Sequence, residues 1–376
     1  MKQSVPFLDL QGITLRHQAE ISAAVQQVIS SGWYLNGESL RHFEEKFARY
    51  CGVQWCVGVS NGLDALTLLL SALKQIKEWS DDSEVILPAH TFVATALAVT
   101  RAGLRPVFCD VSEQNYLMQA STVASCITSK TRALLPVHLY GQMCNMSEIM
   151  NLADEYGLEV VEDAAQAHGA KFQEQKAGTW GTAAAYSFYP GKNLGALGDA
   201  GAVVTRDAAL AERVRVLANY GATQKYHHEF SGCNSRMDEI QAAILSVKLD
   251  FLDADNEHRR ELASLYGRHI HHPEVVLPYS GKTEASVFHI YPIFCESREA
   301  LQKHLEQCGV STLVHYPIPV HRQTAYKHLP TSNCPVSERL ADTELSLPIS
   351  PVLTKEQALY VCDAVNSFRG WKNTLL

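Results

Sequence analysis

The sequence predicts an α/β fold, in which a seven-stranded and mostly parallel sheet is flanked by helices and followed by a smaller C-terminal α+β domain. Short apolar runs alternate with segments of helical periodicity between residues 56 and 219, the pattern of βαβ units in a parallel sheet. The alternation stops after about residue 250. We therefore expect a large domain over residues 1–250 and a small domain over residues 251–376.

The individual elements are assigned from this periodicity in chain order. Helices are expected over residues 17–31 and around residues 43–50, and the loop between them presents Trp33 and Tyr34. The strands of the sheet are expected at residues 56–59, 84–87, 106–109, 133–137, 158–162, 183–188 and 202–205, with helices at 63–78, 91–102, 146–156 and 208–219. Further on we expect helices at 241–252, 256–268, 298–308 and near 355–368, and strands at 287–295 and 312–316.

The composition limits the partners and the compartment. The chain has 376 residues, of which 46% are hydrophobic, and a formal net charge of −8 without blocks of like charge. This argues against a nucleic acid or an anionic membrane surface as the main partner. The N-terminus has no export signal, and no run approaches the ~18 apolar residues of a membrane span. The ten cysteines and 16 histidines show no metal-binding spacing, so we expect a cytoplasmic protein with reduced thiols and no metal.

Candidate functional residues follow four of the predicted strands, at the edge where ligands bind in a doubly wound sheet. Gly62 and Leu63 open a helix after the first strand, and backbone amides at a helix N-terminus bind anions. Phe92 follows the second strand and Asp163 the fifth. Lys192 follows the sixth strand in a glycine-rich loop, where burial beside a ligand would lower its pKa and free the amine for nucleophilic attack.

Each of these residues alone also has an ordinary structural explanation. A single lysine is most often exposed to solvent, an acid after a strand often caps a helix, and residues 60–64 are equally typical of a plain strand-to-helix turn. The combination is more specific. A lysine for a Schiff base, an acid for a cationic ring nitrogen, an aromatic ring for stacking and a helix N-terminus for a phosphate are what pyridoxal 5′-phosphate (PLP) requires.

Three motifs carry a resemblance to a known family over essentially the whole chain. They are Glu162-Asp-Ala-Ala-Gln166, Ser187-Phe-Tyr-Pro-Gly-Lys-Asn-Leu-Gly195 and Gly232-Cys-Asn-Ser-Arg-Met-Asp-Glu-Ile-Gln-Ala-Ala243. With them the chain resembles the PLP-dependent sugar aminotransferases of fold type I in the DegT/DnrJ/StrS family. Gln166-Ala-His-Gly-Ala170 and Val314-His-Tyr-Pro-Ile-Pro319 look most like the members that aminate carbon 3 of a dTDP-linked 3-keto-6-deoxyhexose.

The resemblance implies a role for each cofactor residue. Lys192 would bond to the cofactor and then move a proton, and Asp163 would pair with the ring nitrogen. Gln166 would hydrogen-bond the phenolic oxygen, and Phe92 would stack on the ring. The phosphate would be bound by the hydroxyl of Ser187 and by the backbone amides of Gly62 and Leu63. Many relatives have threonine at the position of Leu63. The leucine side chain has no donor, so this chain lacks one neutral hydrogen bond worth about 1 kcal/mol.

The resemblance also implies a homodimer, because in this family the loop with Asn234 and Arg236 reaches the neighbouring subunit's site. A buried arginine that only holds its own loop is the structural alternative. For the substrate, Tyr189 and His315 are the candidates for contacts around the hexose carbonyl. The remaining substrate candidates are Trp33, Tyr34, His168, Tyr316 and His321. His315 and His321 lie in a proline-rich loop, and for them packing of a turn is the structural alternative.

The expected reaction is transfer of the amino group of L-glutamate to the keto sugar, giving a dTDP-3-amino-3,6-dideoxyhexose of galactose or glucose configuration. The sugar's diphosphate would meet Lys225 or Arg322, and the product would feed a surface polysaccharide such as O-antigen or a glycosylated metabolite. Amination at carbon 4 is the nearest alternative. A sugar 3-dehydratase would have histidine in place of Lys192, and a PLP-binding regulatory protein without turnover would not need Lys192, Asp163 and Gln166 together.

Overall fold

The computed structural model describes residues 4–278, 285–329 and 333–370. Its strands are β1 (Trp55–Val59), β2 (Glu84–Pro88), β3 (Arg105–Cys109), β4 (Thr131–Leu134), β5 (Glu159–Asp163), β6 (Lys171–Phe172), β7 (Gln175–Lys176), β8 (Ala183–Ser187), β9 (Gly201–Thr205), β10 (Ala222–Gln224), β11 (His227–His228), β12 (Tyr291–Phe294) and β13 (Glu344–Leu347). Its α-helices are α1 (Leu10–Leu15), α2 (Gln18–Ser31), α3 (Glu38–Cys51), α4 (Gly62–Ile76), α5 (Val93–Arg101), α6 (Ala120–Ala124), α7 (Met146–Tyr156), α8 (Ala208–Ala218), α9 (Glu239–Leu249), α10 (Leu252–His269), α11 (Arg298–Gln307), α12 (Pro335–Thr343) and α13 (Lys355–Asn366).

The main sheet has seven strands in the order β1-β9-β8-β5-β4-β2-β3. Neighbouring strands are parallel except at β9, which runs antiparallel to both β1 and β8. This confirms the predicted mostly parallel sheet, and each of the seven strands predicted for it overlaps an observed one. The carboxyl ends of β5 and β8 lie side by side, because Asp163 pairs in register with Ala185 two residues before the end of β8.

Both faces of the sheet are covered, which explains why its strands read as continuous apolar runs. Along β8, Ala184 and Tyr186 face one hydrophobic cluster, while Ala183 and Ala185 face a second cluster on the other side. This is the alternation that a pleated strand imposes on successive side chains. Helix α4 packs on the second face through a buried leucine stripe, and Asn61 caps its N-terminus by accepting a hydrogen bond from the amide of Asp64 at 2.8 Å.

A third hydrophobic cluster lies around the antiparallel pair β12–β13 and helices α10, α11 and α13. Val5 packs in this cluster and pairs with Val310, so the start of the chain belongs to the same core as its last third. The division of the chain at residue 250 stays a prediction.

The strand predicted at residues 312–316 is wrong. Only Leu313 forms a single bridge, to Ser346, and the strand that pairs with β12 is β13. Two causes act in this segment. The backbone amide of His315 donates to the carboxylate of Glu344 at 2.6 Å, and the prolines that follow at 317 and 319 have no amide for a ladder.

Two negative findings concern the described part of the chain. None of its helices is long and apolar enough to cross a membrane. Among the same residues there is no group of histidine, cysteine and acidic side chains arranged to hold a metal ion.

Candidate active site

Asp163 lies at the carboxyl end of β5, where it is buried. Its Oδ2 accepts a hydrogen bond from the hydroxyl of Thr95 at 2.9 Å, and its Oδ1 accepts one from the amide of Ala165 at 3.2 Å. Burial raises the pKa of Asp163, although these bonds and the charge of Lys192 oppose the rise. A carboxylate in this position gains most from a cationic partner, such as a protonated ring nitrogen.

A second buried carboxylate, Glu162, supports this strand end from the opposite face. It accepts hydrogen bonds from the amides of Gly178, Trp180 and Gly181 at 2.9 Å, and from Nε2 of His138 at 2.9 Å. Burial raises the pKa of Glu162, but the bond to His138 and the amide bonds outweigh burial and hold it below its ordinary value. The amide of His138 in turn donates to the carbonyl of Asp163 at 3.1 Å. The pair therefore fixes the backbone on which Asp163 stands.

Lys192 lies in the loop after β8 and is half-buried. Its ammonium forms no hydrogen bond with any described residue, and its backbone amide donates to the carbonyl of Tyr189 at 2.8 Å. Burial lowers the pKa of Lys192 to about 8, and the charge of Asp163 opposes this fall. A substantial fraction of the amine is thus neutral near neutral pH, as a nucleophile or base must be.

The next residue, Asn193, anchors this loop. Its amide nitrogen donates to Oδ1 of Asn256 at 2.8 Å and to the carbonyl of Val287 at 2.9 Å. Its oxygen pairs with Nδ1 of His289 at 3.0 Å, so His289 donates there. Sequence reasoning missed both Asn193 and His289. The position of Asn193 directly after Lys192 was the signal that could have indicated its role. Nothing in the sequence indicates that His289 lies near this loop.

The turn that opens α4 lies directly against the end of β8. A Cβ added to Gly62 would lie 2.5 Å from the Cβ of Ser187, and one added to Gly201 would lie 2.4 Å from the carbonyl carbon of Asn61. The glycines therefore bring the first amides of α4 beside the hydroxyl of Ser187. This backbone cradle has the hydrogen-bond donors that a phosphate needs. Ser60, just before it, hydrogen-bonds the hydroxyl of Ser235, which stands between Asn234 and Arg236.

Gln166 and Tyr316 form one hydrogen-bonded unit next to Phe92. The side-chain oxygen of Gln166 accepts from the amide of Tyr140 at 2.7 Å, so its nitrogen donates to the hydroxyl of Tyr316 at 3.1 Å. The rings of Phe92 and Tyr316 are 5.4 Å apart, and Phe92 remains 53% exposed. An open aromatic face therefore lies beside an amide donor. Tyr140 was another residue that sequence reasoning missed.

Three of the predicted substrate residues lie around Lys192. His315 is half-buried, and burial lowers its pKa to about 4 with the charge of Lys192 as the next cause. Tyr189 is 57% exposed three residues before Lys192. His168 is different, because it is completely buried with its ring 5.2 Å from Tyr186 and 5.6 Å from Phe188. The structure places His168 beneath the site with no exposed surface, and its sugar contact stays a prediction.

The structure does not bring His321 to this group. Its Nε2 pairs with Glu338 of α12 at 3.0 Å and its ring packs on Phe108 of β3, which is the edge strand separated from β8 by β5, β4 and β2. The sugar contact through His321 stays a prediction, and in this structure its side chain is hydrogen-bonded to Glu338.

The substrate candidates Trp33 and Tyr34 and the loop predicted to reach a neighbouring subunit lie near the β1 edge. Trp33 and Tyr34 are 63% and 53% exposed, and the next residue, Leu35, pairs with Asp238 just before α9. Arg236 donates to Oδ1 of Asn219 at 3.3 Å, and its buried Nε has no hydrogen-bond partner among the described residues.

Comparisons with known proteins place this site in a family. The sequence model of the DegT/DnrJ/EryC1/StrS aminotransferase family matches residues 16–366, and the chain belongs to this family. It is 47% identical over 364 residues to the dTDP-3-amino-3,6-dideoxy-alpha-D-galactopyranose transaminase of Aneurinibacillus thermoaerophilus, covering 97% of this chain and 99% of that relative.

Solved structures agree with the sequence match. The crystal structure of S. venezuelae DesV in complex with a ketimine intermediate has a TM-score of 0.92 at 46% identity, covering 96% of this chain and 98% of that one. NtdA from Bacillus subtilis with bound cofactor PMP has a TM-score of 0.89 at 30% identity, covering 96% and 84%. The protein is thus a sugar aminotransferase whose cofactor is PLP. The free lysine, the buried acid, the open aromatic face and the glycine-lined cradle fit this cofactor.

Proposed function

We propose that this protein transfers the amino group of L-glutamate to a dTDP-linked 3-keto-6-deoxyhexose and releases a dTDP-3-amino-3,6-dideoxyhexose. The observation that carries the chemistry is the placement of Asp163 at the end of β5 and of Lys192 in the loop after the adjacent strand β8, with the pKa of Lys192 lowered by burial. The choice of carbon 3 and of dTDP rests on the relative from A. thermoaerophilus, whose name specifies both. PLP, when bound, supplies the electron-accepting ring that the transfer needs.

The residues around Lys192 divide the work. Lys192 is the residue that would hold the cofactor covalently and that, as a neutral amine, would take up and return the proton of the amino-bearing carbon. Asp163 would hold the ring nitrogen in its protonated form. Phe92 offers its exposed face to the ring, and Gln166 offers its amide nitrogen to the phenolic oxygen. The close contact of Gly62 with Ser187 supports a phosphate site made from the Ser187 hydroxyl and the first amides of α4.

The substrate side of the proposal uses Tyr189, His315 and Tyr316. Tyr189 is exposed three residues from Lys192, and Tyr316 already contacts both Phe92 and Gln166. For the sugar's diphosphate we choose Lys225 over Arg322, because the guanidinium of Arg322 is neutralised by Glu338 at 2.6 Å. Lys225 lies in the exposed hairpin of β10 and β11.

We further propose that the enzyme is a homodimer whose sites are shared. Asn234 and Arg236 of each subunit would complete the partner's cofactor site, and Trp33 and Tyr34 would line the partner's substrate. The unpartnered buried Nε of Arg236 supports this, because such a group is expected to find a hydrogen bond in the working assembly. The enzyme would work in the cytoplasm, and its nucleotide-sugar product would be used to build a surface polysaccharide such as O-antigen.

Measuring the two half-reactions, first with L-glutamate and then with a keto sugar, distinguishes this function from its alternatives. Purified holoenzyme is mixed with L-glutamate while the visible absorbance of the cofactor is followed, and the bleached enzyme then receives one keto sugar. Recovery with a dTDP-3-keto-6-deoxyhexose of galactose or glucose configuration supports the proposal. Recovery only with a 4-keto-6-deoxy sugar would move the reaction to carbon 4, and no response to glutamate would contradict amino transfer altogether.

The shared site is tested by mixing inactive variants. In a dimer of one Lys192→Ala subunit and one Arg236→Ala subunit, both defects fall in the same active site only if Arg236 acts across the interface. A mixed dimer should then have about half of the wild-type activity, because one of its two sites has both residues intact, and a random 1:1 mixture should have about a quarter. Failure of the mixture to recover any activity, with mixed dimers verified by native mass spectrometry, would show that Arg236 acts within its own subunit.

A further inference from the structure

A chain of hydrogen bonds behind His315 ends at a buried carboxylate. Nδ1 of His315 lies 2.8 Å from the hydroxyl of Ser346, and this hydroxyl donates to Oε1 of Glu344 in a short hydrogen bond. Both Glu344 and Ser346 belong to β13 and are completely buried. The other oxygen of Glu344 accepts the backbone amide of His315 at 2.6 Å. Glu344 thus holds the same histidine by its main chain and, through Ser346, by its ring.

The directions of these bonds follow from the donors. A backbone amide can only donate, so Oε2 of Glu344 must be an acceptor. When the carboxyl is ionised, Oε1 accepts as well, and the single proton of the Ser346 hydroxyl is used on it. Ser346 then has only lone pairs to offer to His315, so Nδ1 must carry the proton of the neutral imidazole.

The free end of the ring faces the site. His315 is half-buried, and its Nε2 has no hydrogen-bond partner among the described residues. The ring is neutral near neutral pH because burial and the charge of Lys192 lower the pKa of His315 to about 4. With the proton on Nδ1, Nε2 presents a lone pair.

We propose that Glu344 and Ser346 are positioning residues that set the tautomer of His315, so that, when Glu344 is ionised, its Nε2 accepts a hydrogen bond from a sugar hydroxyl next to the reacting carbon. The part that concerns the sugar rests on the proposed function. The part that concerns the tautomer rests on this chain alone. Both residues act through His315, because neither side chain is exposed.

The relay reverses when Glu344 takes up a proton. Oε1 then becomes the donor, the Ser346 hydroxyl turns to donate to Nδ1, and the imidazole proton moves to Nε2. Burial raises the pKa of Glu344 to about 8, against the opposing effects of Ser346, the His315 amide and Arg298. The other titratable groups that face it are Tyr140 and Tyr316, whose own pKa values are raised by burial. The tautomer is therefore expected to change near pH 8.

An isosteric substitution imposes the reversed state at every pH. In Glu344→Gln the backbone amide of His315 still requires an acceptor, so the amide oxygen faces it and the amide NH₂ faces Ser346. Ser346 must then donate to Nδ1, and Nε2 becomes a donor. Ser346→Ala removes the link altogether. The matched control is Thr343→Ala, which removes a buried hydroxyl one residue before Glu344 that bonds only to the carbonyl of Arg339.

The tautomer is measured on the holoenzyme by ¹⁵N NMR of labelled histidine, with His315 assigned by its loss in His315→Gln. At about pH 9 we expect the proton on Nδ1 in the wild type and in Thr343→Ala, and at about pH 6.5 on Nε2. In Glu344→Gln we expect it on Nε2 at both values. A wild-type proton on Nε2 at the higher pH, or the same tautomer in Glu344→Gln as in the wild type, would overturn the proposal.

The half-reactions provide the functional readout. At the higher pH, Glu344→Gln and Ser346→Ala should slow cofactor recovery by the keto sugar about 10- to 100-fold, because a mismatched or missing hydrogen bond costs about that factor. Bleaching by glutamate should change less than about twofold, as should both steps in Thr343→Ala. Equal losses in both half-reactions would mean a merely structural role and would contradict the proposal. If the wild type accepts no 3-keto sugar, the proposed function fails, and the relay is still decided by the NMR measurement.

Discussion

The contact between Gly62 and Ser187 allows a sharp test of the cofactor cradle. In Gly62→Ala the new Cβ would lie 2.5 Å from the Cβ and 3.1 Å from the Cα of Ser187. Ser187 cannot move away, because it is held in β8 by the pairing with Gly201 of β9. The N-terminus of α4 must therefore shift, and overpacking of this kind costs about 1–3 kcal/mol. Because the shift separates the two halves of the phosphate site, the cost should fall on cofactor binding.

The expected result is a PLP dissociation constant raised about 5- to 150-fold, which is the same free energy expressed as affinity. It is measured by titrating cofactor-free protein and following the visible absorbance. Gly267→Ala is the matched control, since Gly267 is also helical and a Cβ there would meet nothing within 4 Å. Urea unfolding of both cofactor-free variants separates lost binding from lost stability. An unchanged dissociation constant in Gly62→Ala would show that these amides do not form the phosphate site.

Four further predictions follow from the described contacts. Asp163→Asn keeps the shape but removes the charge that holds a proton on the ring, so both half-reactions should slow about 100- to 1,000-fold, measured by stopped-flow absorbance; an unaffected rate would exclude this role. The rate at which cofactor-free protein captures PLP should rise with pH through about 8, because Lys192 attacks only when neutral and its lowered pKa places this loss of charge there; a flat profile would contradict it. Glu162→Gln should lower the free energy of unfolding by about 3–5 kcal/mol, since it leaves a buried network without its charge. The stability that Glu162 contributes is present above its ordinary pKa and is lost as pH falls through its lowered folded value, so the variant should lose part of the acid sensitivity seen in urea unfolding. Finally, His321→Ala should leave both half-reactions within about twofold and reduce only stability, because the side chain pairs with Glu338 away from Lys192; a large loss of sugar turnover would return it to the site.

The sheet and the reacting pair were predictable because they depend on local patterns. Continuous apolar runs mark strands buried on both faces, and the polar residue after such a run lies at the ligand edge. That rule alone brought Asp163 and Lys192 together, and the structure places them on adjacent strand ends. The sequence predicts Gly62 at a helix N-terminus. The close approach of Ser187 is the physical reason for a glycine at this position.

The second layer of the site could not be predicted, because its members meet only in the folded chain. Tyr140 reaches Gln166 from a turn after β4, and His289 reaches Asn193 across 96 residues. Glu344 shows the same effect on secondary structure. Its carboxylate takes the amide of His315 that a strand would have used, which is why a β-like sequence at residues 312–316 forms no strand.

Two histidines show that residue type does not determine the surroundings of a side chain. His168 lies within a functional motif and His321 in a proline-rich loop beside His315, so both were expected at the sugar. His168 instead packs between Tyr186 and Phe188, and His321 pairs with Glu338. Sequence spacing does not reveal to which side of the backbone such a side chain turns.

The central claim is that glutamate nitrogen reaches carbon 3 of a dTDP-linked hexose at this site. The most direct measurement is to supply L-glutamate labelled with ¹⁵N together with the dTDP-3-keto-6-deoxyhexose and to locate the label in the isolated product by NMR. We predict that ¹⁵N is bonded to carbon 3 and that Lys192→Ala gives no labelled sugar. Label on carbon 4 with a 4-keto acceptor, and none with the 3-keto sugar, would contradict the account.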